Sequence, residues 1–415
     1  MGGLSTWAAF LSGLEFPLLV NQAGKCLLER LRDGSASGGD EGTEGAEGEG
    51  ARRLLDLLDR SGLLETDGDG PRLSRRARLR FRPESPADGC SRFPFQVLFE
   101  VTRACNLRCR YCFVPVGRGP APGELDGRGF RDAVEQLLSG GVSSLIFSGG
   151  EPLLRQELKG DLFWALELCA QAQVLTTLFT NGTLLLRHIK GLLKSGISKV
   201  AVSLDVPSAE AFGAVAGRPE LFDAVVAGIS ELARAGVRPE ITMVVSALTY
   251  PYVDRMLELA AGLGARALNL PRVYFAGASK GRRQMGVSDA EWRALYPRLL
   301  EFVGCRAPQP APAGDGVAAP SQGPPPAAEK RRPPASPFGG CKGGRTFCVL
   351  HSDGRVSPCV GFVSSTLGWL GRAPLARIWT GSAAQEFRRV ASPCPLQADS
   401  YLVDFEARRV RWGRA

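Results

Sequence analysis

The 415-residue sequence lacks the features that mark several large protein classes. No run of eighteen uncharged apolar residues occurs, which argues against a membrane-spanning helix. No Lys or Arg precedes Lys25 and no cleavage site is evident, so the apolar start is not typical of a secretory signal. Eleven cysteines are too few for a fold built on disulfides. We therefore expect a cytoplasmic protein in a reducing environment, with no membrane partner.

Charge and composition do not favour nucleic-acid binding. The formal net charge is +9, but the basic residues are scattered along the chain, and only two His and six Tyr are present. We expect no nucleic-acid partner. With 44% apolar residues, the chain can bury one large core or two to three smaller ones.

Two tracts poor in apolar residues divide the chain. Residues 35–50 are rich in Gly and Glu, and residues 306–337 are dominated by Pro and Ala, so we predict that both are disordered inserts. The predicted units are a helical unit at 1–70, which contains the first insert, a central unit at 93–305 and a cysteine-bearing unit at 338–415.

The central unit alternates short apolar runs with amphipathic stretches of helical length. The predicted strands are 95–102, 143–150, 175–182, 199–205, 240–246 and 265–270. The predicted helices between them are 130–138, 162–172, 183–194, 221–235 and 252–263. Six strands that alternate with helices predict an α/β protein with a parallel sheet, either an open doubly wound sheet or a barrel.

Polar clusters follow four of these strands. The first strand runs into a group of cysteines and the second into residues 149–152, while the third ends at 180–182 and the fourth at 203–205. In a barrel, functional residues lie at the C-terminal ends of the strands. The clusters therefore predict a single site on one face.

Three cysteines with a C-x3-C-x2-C spacing, Cys105, Cys109 and Cys112, directly follow the first strand. Thiolates suit iron–sulfur clusters or zinc. Three of them in one loop can hold three corners of a four-iron cluster and leave the fourth iron open to a ligand. On the residues alone, zinc remains the alternative.

The run CNLRCRYC, followed by SGGEP at 148–152, resembles the radical S-adenosylmethionine (radical SAM) enzymes over about residues 95–305. The resemblance implies a partial (β/α)6 TIM-like barrel. It also implies a [4Fe-4S] cluster on the three cysteines, with S-adenosylmethionine (SAM) on the free iron, and a 5′-deoxyadenosyl radical that abstracts a substrate hydrogen. An electron donor such as flavodoxin or ferredoxin is implied as a partner.

The same resemblance assigns cofactor contacts by position. The residues predicted to bind SAM in this way are Tyr111, Gly149, Gly150, Glu151, Pro152, Asn181, Ser203 and Arg218. Tyr111 would lie beside the adenine, and Asp205 is predicted to be a catalytic acid–base or radical-quenching residue. A helix cap is the alternative for Asp205. A turn, a helix cap or a surface charge is the alternative for Asn181, Ser203 and Arg218.

The C-terminal unit has four further cysteines, Cys341, Cys348, Cys359 and Cys394. The spacing from Cys341 through Gly354 to Cys359 resembles the opening of the SPASM/Twitch extension, which carries auxiliary iron–sulfur clusters in peptide-modifying radical SAM enzymes. The later cysteines of that array are missing, so we expect one auxiliary [4Fe-4S] cluster on these four thiols. Cys348 alternates with apolar neighbours, and a buried thiol is its alternative. A structural zinc site is the alternative for the group.

Residues 17–34 and 51–65 predict two amphipathic helices near the N-terminus. They resemble the peptide-recognition element of the pyrroloquinoline-quinone chaperone class, a small winged-helix unit that binds a leader peptide as an added strand. A plain helical cap on the barrel is the alternative.

Together these features predict a radical SAM oxidoreductase or maturase that crosslinks, oxidises or decarboxylates a ribosomally made precursor peptide. The alternative enzyme would act on a haem- or quinone-type cofactor precursor. A third hypothesis is a non-catalytic binding protein with a decayed site.

Overall fold

The computed structural model describes residues 6–11, 18–20, 22–33, 54–59, 63–67, 70–74, 79–84, 90–304, 341–390 and 399–414. The predicted inserts at 35–50 and 306–337, and the predicted ligand Cys394, lie outside the described residues. None of the helices in the described ranges is long and apolar enough to cross a membrane.

The described N-terminal residues contain strands as well as helices. These elements are β1 (Thr6–Leu11), β2 (Leu18–Val20), α1 (Gln22–Asp33), α2 (54–59), β3 (Leu64–Asp67), β4 (Gly70–Leu73) and β5 (Leu79–Glu84). An antiparallel sheet has the order β2-β1-β5, and β3 pairs with β4 as a hairpin. The helices α1 and α2 lie within the two predicted helices, 17–34 and 51–65. The positions of the strands were not predicted, because β1 pairs with a strand about seventy residues later, and local periodicity does not reveal such pairing.

Six parallel strands form the centre of an eleven-stranded sheet. They are β6 (Gln96–Thr102), β7 (Ser144–Gly149), β8 (Leu175–Thr180), β9 (Lys199–Ser203), β10 (Glu240–Thr242) and β11 (Ala267–Pro271). Their spatial order equals their sequence order, whereas a doubly wound sheet reverses its order. The predicted partial (β/α)6 barrel is therefore confirmed, and each strand overlaps a predicted one.

Eight helices of the described residues follow or connect these strands. They are α3 (Gly127–Ser139), α4 (Pro152–Lys159), α5 (Leu162–Gln171), α6 (Leu185–Lys194), α7 (Ala209–Ala216), α8 (Phe222–Arg234), α9 (Val253–Gly262) and α10 (Asp289–Phe302). Five coincide with predicted helices. The other three were not predicted: α4 and α7 have eight residues each, too few for a clear helical period, and Pro297 interrupts the pattern of α10.

The C-terminal segment extends both edges of the barrel sheet. Its elements are β12 (Phe347–Leu350), β13 (Arg355–Ser357), β14 (Gly368–Trp369), α11 (Leu375–Thr380), α12 (Ser382–Val390), β15 (Asp399–Asp404) and β16 (Arg409–Arg414). β12 pairs in parallel with β6, and β15 pairs antiparallel with β11. A turn at residues 352–354 joins β12 to β13, with Gly354 at a φ of +82°.

The core lies between the sheet and its helices. Phe99 on β6 is fully buried, and its ring centroid lies 5.2 Å from that of Phe130 on α3 and 6.4 Å from that of Phe147 on β7. Trp379 of α11 is also fully buried and donates a hydrogen bond of 2.8 Å to the carbonyl of Ser91. The C-terminal segment thus shares its packing with the barrel, and both help to hold the ends of the strands in place.

Candidate functional site

The three cysteines after β6 lie in a loop across the C-terminal ends of the parallel strands. The loop is closed at its base, where the backbone N–H of Cys105 donates to the carbonyl of Gly117 at 2.8 Å. Cys105 is buried, whereas Cys109 and Cys112 are partly exposed. The first thiol of the loop is therefore shielded from solvent, whereas the other two are partly accessible.

Burial disfavours the thiolate form of all three cysteines. It raises the pKa of Cys105 to about 11 and also raises the pKa values of Cys109 and Cys112. The charge of Asp205, followed by those of Cys112 and Cys105, raises the pKa of Cys109 further, so the three thiols are electrostatic neighbours of one another and of this carboxylate. Thiolates in this setting need a positive partner, which a metal centre supplies.

This donor set fits an iron–sulfur cluster. Among the residues with a described position, no three His, Cys, Asp or Glu side chains converge as one metal ion would require. In a four-iron cluster each thiolate binds a different iron, so the thiols need not converge on one point.

Gly149 and Gly150 bring the end of β7 against the base of the cysteine loop. A Cβ on Gly149 would lie 2.3 Å from the carbonyl oxygen of Thr102, and one on Gly150 would lie 2.2 Å from that of Ala104. The N–H groups of Gly150 and Glu151 donate to the same two carbonyls, each at 2.8 Å. These glycines are therefore required for close contact between two segments of the chain itself.

Glu151 is fully buried, and donors of the chain surround its carboxylate. It accepts hydrogen bonds from the hydroxyl of Thr180 at 2.8 Å, from the N–H of Asn181 at 2.7 Å and from the N–H of Leu153 at 3.0 Å. Burial raises the pKa of Glu151 to about 7, although these hydrogen bonds oppose the shift. Glu151 thus joins the end of β8 to the start of α4, whose first residue is the buried Pro152.

Asn181 lies beside the cysteine loop. Its Nδ2 donates to the Oδ1 of Asn106 at 2.8 Å and lies 3.9 Å from the Sγ of Cys105. Its Oδ1 accepts from the hydroxyl of Thr183 at 2.7 Å, and this hydroxyl also accepts from Asn106 at 2.8 Å. Neither Asn106 nor Thr183 was among the residues predicted from the sequence. The position of Asn106 next to a predicted cluster ligand was the only signal for it.

Tyr111 of the cysteine loop contacts Asp205, which follows β9. The tyrosine hydroxyl donates to Oδ2 of Asp205, and the N–H of Val244 donates to Oδ1 at 2.7 Å. Burial raises the pKa of Asp205 to about 6 and also raises the pKa of Tyr111. Asp205 is not the helix cap considered as its alternative, because Ser208 caps α7 by accepting from the N–H of Ala211.

Ser203 and Arg218 occupy different surroundings. Ser203 is the last residue of β9 and is aligned with Thr242 on β10, at the same end of the barrel as the cysteine loop. The guanidinium of Arg218 is exposed and pairs with Glu220, so its side chain does not join the other predicted SAM-binding residues.

The described cysteines of the C-terminal segment differ in their surroundings. Cys341 is partly exposed, and Cys359 is buried close to Gly343, where a Cβ would lie 3.4 Å from the Sγ of Cys359. Cys348 is fully buried in β12, opposite Val97 of β6, and burial strongly raises its pKa. The environment of Cys348 is that of a core residue.

A cavity of about 690 Å³ lies beside the cysteine loop. Cys109 and Cys112 line it, together with Arg108, Arg110 and Arg282. The predicted SAM-binding residues at the ends of β7, β8 and β9 do not line this cavity.

Two protein families match this chain, one in the barrel and one in the C-terminal segment. Residues 99–260 match the family described as "Radical SAM superfamily", and residues 341–398 match SPASM, described as "Iron-sulfur cluster-binding domain".

Several curated relatives align with most of the chain. An AdoMet-dependent heme synthase of Methanosarcina barkeri is 28% identical over 330 residues, which cover 75% of this chain and 89% of the relative. A PqqA peptide cyclase of Granulibacter bethesdensis is 28% identical over 342 residues, covering 77% and 82%. Among solved structures, Streptococcus suis SuiB shares the fold, with a TM-score of 0.58 at 15% identity over 93% of this chain and 90% of that chain.

Proposed function

We propose that this chain, a radical SAM enzyme with a C-terminal SPASM domain, modifies a ribosomally made precursor peptide. A radical SAM domain uses a [4Fe-4S] cluster and SAM, and a SPASM domain binds auxiliary iron–sulfur clusters. The observation that carries the choice of a peptide is the antiparallel sheet β2-β1-β5, which precedes the barrel together with α1 and the β3–β4 hairpin.

The cysteine loop holds the radical cluster in this proposal. Cys105, Cys109 and Cys112 are its thiolate ligands, because they are neighbouring thiols whose charge a metal centre would compensate. When bound, the reduced cluster and SAM supply a 5′-deoxyadenosyl radical that removes a hydrogen atom from the substrate.

The residues around the loop hold it in position. Both oxygens of Glu151 are occupied by donors of the chain, so we assign it as a positioning residue rather than a direct ligand of SAM. Asn181 orients the loop through Asn106. Asp205 accepts the hydroxyl of Tyr111 and thereby fixes the orientation of the tyrosine ring.

Two of the described C-terminal cysteines are assigned to the auxiliary cluster. Cys341 and Cys359 flank the β12–β13 hairpin, and Cys394 remains the predicted further ligand. Cys348 is excluded from this set because it lies fully buried within a sheet strand, among apolar side chains.

The N-terminal sheet supports peptide binding. Within the described residues, β2 pairs only with β1 and therefore forms an edge of the sheet. An edge strand offers unpaired N–H and C=O groups to an extended peptide, which can add as a further strand. The PqqA peptide cyclase, a relative of similar length, acts on a peptide according to its name.

A second function is favoured by other relatives. Their names include AdoMet-dependent heme synthase and pre-heme d1 synthase, and the latter, from Dinoroseobacter shibae, is 27% identical over 72% of this chain and 77% of its own length. In that case the substrate would be a haem-type precursor, and the N-terminal sheet would be only structural.

The first test concerns the radical chemistry. After anaerobic reconstitution, the wild type should hold about eight irons and form 5′-deoxyadenosine with dithionite. The triple variant in which Cys105, Cys109 and Cys112 become Ala should hold about four irons and form none. A wild type that binds only zinc, or that forms no 5′-deoxyadenosine with full iron, would overturn the proposal.

The second test separates the two substrates. The reconstituted enzyme is titrated with a labelled precursor peptide encoded beside its gene, and separately with a tetrapyrrole that carries propionate groups. Peptide binding through the leader, followed by loss of two hydrogens or of CO2 in mass spectrometry, is expected. Binding and conversion of the tetrapyrrole alone would replace the first proposal by the second.

A further inference from the structure

The cavity beside the cysteine loop combines positive charge with apolar walls. Arg108, Arg110 and Arg282 line it and are exposed, and no Asp or Glu of the described residues lines it. Apart from two cysteines and one glutamine, the other lining residues are apolar. Its volume of about 690 Å³ is that of a site for a small molecule or a bound side chain.

The arginines of this cavity have no acidic partner within the described part of the chain. No side-chain hydrogen bond or ion pair of those residues includes the guanidinium of Arg110. The guanidinium of Arg282 donates to the backbone carbonyl of Arg110, and that of Arg108 donates to two backbone carbonyls of the loop. In contrast, the nearby Arg272 pairs with Asp289 at 2.7 Å. The cavity therefore carries positive charge that the described part of the chain does not neutralise.

This charge lies close to two of the predicted cluster ligands. Cys109 and Cys112 line the same cavity, and the charge of Arg282 acts on the thiol of Cys112. The predicted SAM-binding residues at the ends of β7, β8 and β9 do not line it, so their contacts with SAM would not fill it. A group held by Arg110 and Arg282 thus lies beside the cysteine loop without displacing those contacts.

The combination of guanidinium groups and apolar walls favours an organic acid. Guanidinium groups bind a carboxylate through charge-assisted N–H···O bonds, often in pairs, which are shorter and stronger than hydrogen bonds between neutral groups. The apolar walls fit the hydrocarbon part of such an acid. Because a carboxylate loses water when it enters the cavity, the two cations are needed to offset the cost of its desolvation.

We propose that this cavity is the substrate pocket and that Arg110 and Arg282 bind a carboxylate of the substrate beside the radical cluster. The inference deepens the proposed function and rests on it, because a precursor peptide supplies the carboxylate as an Asp or Glu side chain. The alternative substrate would supply it as a propionate of the tetrapyrrole. The two arginines thereby determine which part of the substrate lies next to the cluster.

The test measures affinities by calorimetry on the anaerobically reconstituted enzyme with SAM present. One ligand is the core of the precursor peptide encoded beside the gene, without its leader, and the other is the same core with every Asp and Glu replaced by Asn and Gln. The cavity variant combines Arg110→Gln with Arg282→Gln. The control variant combines Arg118→Gln with Arg283→Gln, which remove equal charge from exposed arginines that do not line the cavity.

We expect the wild type and the control variant to bind the acidic core about tenfold more tightly than the amide core. The cavity variant should bind both cores alike. A second pair of ligands, the propionate-bearing tetrapyrrole and its methyl ester, separates this inference from the proposed function. If only the tetrapyrrole pair shows the expected dependence on the two arginines, the carboxylate pocket stands and the peptide is replaced as the substrate.

Two results would overturn the inference. The first is a cavity variant that keeps the preference for the acid over its neutral counterpart, or a control variant that loses it. The second is a cavity variant that binds SAM about tenfold more weakly in the absence of substrate, which would assign the arginines to the cofactor. Iron content shows whether the cysteine loop is assembled in each variant. If Arg110→Gln lowers it, Arg282→Gln alone is measured, because Arg282 lies outside that loop.

Discussion

Glu100 and His351 form a buried hydrogen bond between the barrel and the C-terminal segment. Nδ1 of His351 lies 2.6 Å from Oε2 of Glu100, and both residues are almost fully buried. The other ring nitrogen of His351 lies 2.8 Å from the hydroxyl of Ser357, two residues before Cys359. Glu100 lies on β6, the strand that leads to Cys105, and Ser357 lies on β13, the strand that leads to Cys359. The contact therefore connects the strands that precede these two cysteines.

We therefore predict that His351→Ala lowers the free energy of unfolding by roughly 1–3 kcal/mol, because it leaves the buried Glu100 without its partner. Anaerobic denaturant titration followed by tryptophan fluorescence measures the change. His188→Ala is the control, since the polar partner of His188 is the exposed Glu157 at 3.4 Å and its ring packs edge-on against Phe163, so no buried carboxylate loses its partner. This variant should cost less stability than His351→Ala. Equal losses in both variants would contradict the proposed importance of the Glu100 contact.

Gly150→Ala should disrupt the base of the cysteine loop, because the added Cβ would lie 2.2 Å from the carbonyl oxygen of Ala104. We expect a loss of roughly 1–3 kcal/mol in stability, together with weaker SAM binding. Gly119→Ala is the matched control, since nothing lies within 4 Å of its added Cβ. Calorimetric titration with SAM measures the effect, and unchanged affinity for Gly150→Ala would contradict it.

Glu151 should make stability fall as pH rises. Its pKa is raised to about 7 in the folded chain, so the unfolded chain loses this proton first. The loss of stability begins near pH 4.5 and is complete near pH 7, and it amounts to roughly 3 kcal/mol.

Glu151→Gln should remove this contribution, which denaturant titrations between about pH 4.5 and 8 would show as a flatter curve. The exposed Glu258→Gln on α9 should retain the dependence of the wild type. If the curves of the two variants have the same shape, Glu151 is not the titrating group.

The two buried C-terminal cysteines should respond differently to substitution. Cys359→Ser should lower the iron content after reconstitution by removing an auxiliary ligand. Cys348→Ala should keep the full iron content and cost about 1–2 kcal/mol of stability, because it only removes a buried side chain. A colorimetric iron assay separates the two, and iron loss in Cys348→Ala would return this cysteine to the set of ligands.

The central barrel could be predicted because its strands are short apolar runs separated by amphipathic stretches, a local pattern. The pairing of β12 with β6 joins residues about 250 positions apart, and no local pattern encodes it. The N-terminal sheet was missed for the same reason. Asn106, Thr183 and His351 were missed as well, because their importance comes from partners on other elements.

By itself the sequence determined the chemistry of the site: the thiols at C-x3-C-x2-C spacing, the glycines after the second strand and the order of the strands. Only the tertiary structure decided which side chains are buried, which are hydrogen-bonded to other parts of the chain and which are exposed. It enclosed Glu151 among donors of the chain, buried Cys348 in a strand and exposed Arg110 beside the cavity. Residue type and spacing are local properties, whereas burial and hydrogen-bond partners depend on contacts between segments far apart in the chain.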